Sequence, residues 1–64
     1  MNAADEVLEQ VKRLLDSSVT AYRIQDETGV RSASIYTLRK DPSKIERLRF
    51  DTMRKLYNYA RTLN

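Results

Sequence analysis

The sequence predicts an all-α fold, a compact bundle of four to five short helices. Two observations carry that reading. Apolar residues recur every three or four positions in each long segment, and almost nothing alternates as a half-buried strand does. The single glycine, Gly29, and the single proline, Pro42, fall between periodic segments rather than inside them, where such residues separate helices. A chain of 64 residues makes one domain, spanning 1–64, near the lower size at which a single core folds unaided.

The elements follow in order. Val7, Leu8, Val11, Leu14 and Leu15 form the stripe of an amphipathic helix over roughly residues 4–16. Asp5 and Glu6 sit in its first turn, where negative charge suits the helix dipole. Ser17-Ser18 ends it. Thr20 is a good N-cap for a second helix, Ala21 to Thr28, with Val19 and Ile24 spaced as a hydrophobic staple. Gly29 terminates that helix, because a residue just past a helix end commonly takes positive φ. A third helix is expected from about Ser32 to Lys40, with Ile35 and Leu38 inward and Val30 tucked in at the turn. The face opposite carries Ala33, Tyr36, Thr37 and Lys40, with Ser32 on its flank. Asp41-Pro42 stops it, since a residue before proline disfavours the α region. Ser43 and Glu46 have capping-box spacing for a short turn over Lys44 to Leu48. The last helix is expected to bury Phe50, Met53, Leu56, Tyr57 and Ala60.

Composition excludes several functions. There is no cysteine and no histidine, so disulfides, thiolate metal sites and the usual neutral-pH general base are missing. No metal or other cofactor, no small-molecule ligand and no catalytic residue is expected, and a globule this size has no room for a deep enclosed pocket. Apolar runs stop at two residues, as at Leu14-Leu15, far below what a membrane span or signal peptide requires. A cytoplasmic, non-enzymatic protein is the expectation.

Charge is distributed unevenly. Residues 1–20 carry four Asp/Glu against two Lys/Arg, a balance of −2, whereas residues 21–64 carry ten Lys/Arg against five Asp/Glu, a balance of +5. The excess concentrates in Arg31, Arg39, Lys40, Lys44, Arg47, Arg49, Arg54 and Lys55. One-sided basicity with a pI near 9.5 is the footprint of a polyanion binder, though a solvated basic surface has the same composition.

The stretch YRIQDETGVRSASIYTLRK, Tyr22 to Lys40, joins two short helices through a tight glycine turn with apolar residues on both sides. With Ala21-Tyr22-Arg23-Ile24, Thr28-Gly29-Val30, Ser34-Ile35 and Leu38, and with Ile45, Leu48 and the Phe50–Ala60 helix behind them, the chain resembles the Cro/C1-type helix-turn-helix family of phage and plasmid repressors. The resemblance covers nearly the whole chain, but its motif specifies residue types and only the glycine is sharp. It implies a lambda-repressor-like bundle. Two positions depart from the pattern. Gln25 stands where alanine or glycine usually lets the two helices cross closely, and a buried amide without partners costs about 1–3 kcal/mol. Arg31 stands where a serine or threonine N-cap is customary, so Ser32 is the expected cap instead.

The resemblance implies a recognition helix in the major groove, its N-terminal residues at the base edges, and it assigns base reading to Arg31, Ser32, Ala33, Tyr36 and Thr37. Arg31 can donate two hydrogen bonds to guanine, and Ala33 and the Thr37 methyl can touch thymine methyl groups. For Arg31 a phosphate contact or a free surface charge is the competing role, and for Ser32 and Ala33 ordinary exposed helix. Phosphate contacts fix register; they are expected from Tyr22 and Arg23 beside the start of the second helix, and from Lys40, Ser43, Lys44 and Arg47, with Arg49 at the margin. Arg54, Lys55 and Arg61 read as surface charge.

Tyr36 and Lys40 also share the Tyr-x-x-x-Lys spacing of some reductases, but no glycine-rich dinucleotide turn accompanies them. Leu56, Tyr59 and Leu63 recur along the edge of the last helix, either as cover for the core or as the seam of a symmetric dimer reading a palindromic operator. The expected function is sequence-specific binding of double-stranded DNA by a homodimeric transcriptional repressor of a phage, plasmid or other mobile element, acting by promoter occupancy. Two alternatives share the fold: a protein-interaction module such as an antitoxin or inhibitor, and a DNA-architectural or recombination accessory factor.

Overall fold

A computed structural model describes residues 3–63, and at Ala4 the backbone alone. The elements are α1 (Ala3–Asp16), α2 (Ala21–Thr28), α3 (Ser32–Lys40), a 3₁₀ turn (Pro42–Arg47) and α4 (Phe50–Thr62). No strand occurs among the described residues. The fold is the all-α bundle read from periodicity, and the bounds of α2 and α3 coincide with those expected. No helix among the described residues is long and apolar enough to cross a membrane.

Every element sends at least one large side chain to a common core. Val11 and Leu14 come from α1, Ile24 from α2, Ile35 from α3, Ile45 from the 3₁₀ turn and Leu56 from α4, and all are essentially inaccessible. Burying each contributes roughly 1.5–3 kcal/mol relative to leaving it exposed. Leu15, Ala21, Val30, Leu38 and Ala60 complete the buried cluster, with Leu8, Val19, Leu48, Met53, Tyr57 and Tyr59 packed around it. α1 and α4 form the most extensive helix pair and α2 and α3 the next, while α3 also touches α1 and the 3₁₀ turn.

Local signals fix the α2–α3 unit. The Thr20 hydroxyl accepts the Arg23 N–H at 3.1 Å, the expected N-cap. Gly29 has φ 80°, and its N–H donates to the Gln25 carbonyl at 2.8 Å, so the helix ends in the left-handed conformation that glycine adopts without strain. The Thr28 hydroxyl latches this turn from both sides: it donates to the Ile24 carbonyl at 2.6 Å and accepts the Val30 N–H at 3.1 Å.

Several expectations are corrected. Phe50 is 82% exposed rather than part of the α4 stripe. It occupies the first helical position of α4, between half-buried Leu48 and half-buried Met53, where the core has already ended. The 3₁₀ turn is capped by Asp41 rather than by Ser43: the Asp41 carboxylate accepts both the Ser43 N–H at 3.3 Å and the Ser43 hydroxyl at 2.6 Å. Ser32 is not the N-cap of α3. That position is Arg31, which makes no side-chain cap, and the cap comes from across the turn, where Gln25 Oε1 accepts the Ser32 N–H at 2.8 Å. The two departures from the family pattern therefore compensate each other.

Arg39 is likewise not part of a free basic surface. Its guanidinium donates to the Leu15 carbonyl at 2.9 Å and to the Val19 carbonyl. Leu15 lies in the last turn of α1, where carbonyls lack intrahelical partners and a cation is favoured. One side chain thus ties α3 to the end of α1 and to the loop leading into α2.

Candidate nucleic-acid interface

The α3 helix buries Ile35 and Leu38 and leaves Ala33, Ser34, Tyr36, Thr37 and Lys40 exposed, as a 100° step between residues requires. Tyr36 is 55% exposed. Arg31, just ahead of the helix, is exposed and makes no ion pair among the described residues. Ser32, by contrast, is half-buried beneath the Gln25 amide. The Thr37 hydroxyl donates back to the Ala33 carbonyl at 3.1 Å, so its proton is committed to the helix and its oxygen remains an acceptor.

A shallow groove of about 310 Å³ separates α3 from the 3₁₀ turn. Ser34 and Thr37 line one wall and Lys44 and Arg47 the other, with Leu38 and Leu48 between them. This arrangement brings part of the base-reading set and part of the phosphate-binding set to one place. Lys40, Lys44 and Arg47 are exposed and make no ion pair among the described residues. Ser34 joins this groove although the sequence assigns it a place in the helix-turn-helix pattern and no DNA contact; the helical step that pairs position 34 with position 37 was the available signal.

The remaining site residues fare unevenly. Tyr22 is 65% exposed at the start of α2. Arg23 pairs with Glu27 at 3.6 Å, an exposed contact one turn apart that contributes only a few tenths of a kcal/mol, about 0.3–0.5. The Arg23 N–H is already taken by Thr20, which leaves the first two N–H groups of α2, those of Ala21 and Tyr22, without an intrahelical partner. Ser43 is a poorer phosphate donor than expected, because its hydroxyl proton is held by Asp41. That carboxylate is in turn held below its ordinary pKa, chiefly by the Ser43 hydroxyl; desolvation opposes this, and the Ser43 N–H and the charge of Lys44 add lesser contributions in the lowering direction.

Of the two roles open to Leu56, Tyr59 and Leu63, cover for the core is the one that Leu56 and Tyr59 take. Leu56 is completely buried and belongs to the core, which removes it from any dimer surface. Tyr59 is half-buried against the same core, and Leu63 is 47% exposed at the helix end. Arg54 and Lys55 both pair with Asp51, at 2.8 and 3.3 Å, and hold its carboxyl below the usual range, the Lys55 hydrogen bond acting most strongly. Arg61 stacks over the Tyr57 ring at 5.6 Å.

Acidic residues gather elsewhere. Asp5, Glu9, Asp16 and Glu46 line a second groove along α1, together with Leu8, Lys12 and Arg13. It shares no residue with the groove beside α3. No protein-family model, curated protein or solved structure matches the chain, so the functional reading rests on this geometry and on the sequence.

Proposed function

We propose that this chain binds double-stranded DNA in a sequence-specific manner, placing α3 in the major groove, and acts as a small transcriptional regulator. One observation carries the reading. The slim polar face of α3 runs directly into a wall of exposed, unpaired cations, with Ser34, Thr37, Lys44 and Arg47 around a single groove. A helix that enters a major groove needs small polar residues at its contact face and phosphate-binding cations beside it.

Roles follow from exposure. Arg31, Ala33, Tyr36 and Thr37 are the base-facing set, and Ser32 acts through its backbone as the anchor of the helix start. Lys40, Lys44 and Arg47 grip one phosphate strand. Tyr22, with its own N–H at the start of α2, takes the other, a placement suited to an anion at a helix N-terminus. Two copies on a palindromic operator, repressing a promoter of a mobile element, is the form of regulation that the Cro/C1 resemblance supports.

Selection of bound duplexes from a random DNA pool tests the proposal, and a two-fold symmetric consensus is the expected outcome. On that consensus, Arg31→Ala should relax preference at one base position by about 1–3 kcal/mol. Lys44→Ala should weaken all sequences alike and reduce the salt slope by about one. Binding that is indifferent to salt and to both substitutions would overturn the groove model and leave the interaction-module reading in its place.

A further inference from the structure

Among the described residues Phe50 is the most exposed of the large apolar side chains, at 82%, and it takes no part in the core. Met53, Leu56, Tyr57 and Ala60 hold α4 to the core, and Asp51 pairs with Arg54 and Lys55 on the adjoining turn. A single exposed apolar residue is ordinary; its position is what makes this one informative. Leu48 and Arg49 are both extended, with ψ of 147°, so Phe50 lies within about 7 Å along the chain of Leu48, which lines the groove beside α3. Arg47 and Arg49 precede it in the chain, and neither makes an ion pair among the described residues. Residues 44–55 carry five Lys/Arg against two Asp/Glu, a balance of +3 that equals the net charge of the chain.

That charge selects the occupant. A second copy of this chain meeting Phe50 about a two-fold axis would bring both copies of Arg47 and Arg49 together, while the nearby carboxylates are engaged elsewhere, Asp51 by Arg54 and Lys55 and Glu46 on the groove along α1, and like charges so placed oppose association. A polyanion with apolar surface between its charges meets the same patch favourably, and the deoxyribose rings between DNA phosphates are such a surface.

We propose that Phe50 is an apolar DNA contact, laying its ring on the sugar–phosphate wall beside the groove that α3 enters, with Arg47 and Arg49 on the phosphates to either side. The inference rests on the DNA-binding reading above and extends the footprint past the 3₁₀ turn to the first turn of α4. Because the contact is to backbone, it strengthens binding to every sequence by a similar factor and leaves base preference to α3.

The test is a fluorescence-anisotropy titration of the full chain and of Phe50→Ala on two labelled duplexes, the consensus selected from a random pool and a scrambled one, at several salt concentrations. Phe50→Ala should raise Kd about tenfold on both duplexes, equivalent to about 1.4 kcal/mol. The slope of log K against log salt should not change, because no charge is lost. Thermal melts of the free proteins should coincide. The chain has no tryptophan, so Phe50→Trp supplies a lone reporter whose emission should shift when duplex is added. If the parent binds and Phe50→Ala binds equally well, this inference alone fails. A change in the sedimentation of the free protein on substitution would overturn it in favour of self-association. If the parent binds no duplex in a salt-dependent way, the DNA-binding reading fails and takes this one with it.

Discussion

Replacing Gln25 by alanine restores the small residue that the Cro/C1 pattern has at this position, so a purely pattern-based view expects the change to be neutral or favourable. The structure requires the opposite. Among the described residues, Gln25 Oε1 supplies the only side-chain cap on α3, at 2.8 Å from the Ser32 nitrogen, and Ser32 is half-buried. Loss of an N-cap typically costs about 1 kcal/mol, within roughly 0.5–2. Alanine returns only a few tenths of a kcal/mol through its better helix propensity in α2, about 0.3. The expected net destabilisation is about 0.5–1.5 kcal/mol, and in a domain of this size 1 kcal/mol lowers Tm by roughly 4–8 °C.

Circular dichroism at the helix band, followed through thermal and urea unfolding, measures this directly. Gln25→Glu is the companion variant. It keeps the acceptor and places a negative charge at a helix N-terminus, favourable by about 0.3–1 kcal/mol, so its stability should match or exceed that of the parent. The same charge beside Arg31 should weaken DNA binding. A Gln25→Ala protein as stable as the parent would refute the reasoning: the Ser32 N–H would then be satisfied equally well by water, and the bond across the turn would have no energetic role.

Three further outcomes are expected. Arg39→Ala removes charged hydrogen bonds to Leu15 and Val19 and should destabilise the fold by about 1.5–3 kcal/mol, with Arg39→Lys recovering part of it, whereas Lys40→Ala should lower DNA affinity and leave urea unfolding nearly unchanged. Gly29→Ala meets no atom within 4 Å of the added carbon at φ 80°, so its cost is purely that of the left-handed backbone, about 1 kcal/mol, and Gly29→Asn should cost less in the same unfolding assay. Asp41 has a folded-state pKa below its ordinary value of 3.8, so the unfolded chain takes up this proton first as pH falls. The stability it contributes is present above that value and is lost as pH falls through the folded pKa; acid unfolding of Asp41→Asn should therefore show a shallower pH dependence than the parent in that window.

The parts of this fold that were legible in the sequence are those specified by residues close together in the chain. Thr20 and Gly29 bracket α2, and Asp41-Pro42 closes α3; each signal acts within four residues, and each bound came out as expected. What escaped was specified across longer separations. Gln25 looked like an awkward polar residue at a helix crossing because its partner, the Ser32 N–H, lies seven positions away beyond the turn. Arg39 counted toward the basic surface because its acceptors lie 24 and 20 positions back. Phe50 satisfied the α4 periodicity, but periodicity gives direction and not reach, and the first turn of α4 extends past the core. The same limit applied to Leu56: the edge and the centre of a stripe differ by a fraction of a turn, and only the packing of α1 on α4 placed this residue at the centre. For the candidate site, exposure agreed with expectation at Arg31, Ala33, Tyr36, Thr37, Lys40, Lys44 and Arg47, because α3 is regular and its inward face is unambiguous. Ser32 differed in exposure, and both Ser32 and the exposed Ser43 are engaged by a neighbouring polar side chain, Gln25 and Asp41.

The way α3 is held bears on how such a domain can vary its specificity. A helix of nine residues is well short of the roughly 12–15 at which isolated helices become even marginally stable in water, so its conformation is set by its surroundings. Three attachments hold it: the Gln25 cap at the start, Ile35 and Leu38 in the core, and the Arg39 tether to α1 near the end. None of them involves Ala33, Ser34 or Tyr36, and Thr37 bonds only within its own helix. On the proposed DNA-binding reading, stability and recognition are therefore divided between opposite sides of one short helix. Exposed helix positions without such attachments tolerate substitution at little cost, usually within about 0.5 kcal/mol. The outward residues can change while the helix stays where the inward ones put it, which on the proposed reading would let the domain suit a different operator. The division also explains why a glutamine is sustainable at the crossing: by capping the next helix it adds a restraint at the end that the proposed reading turns toward the bases, where a small displacement of α3 would move Arg31 and Ala33 the most.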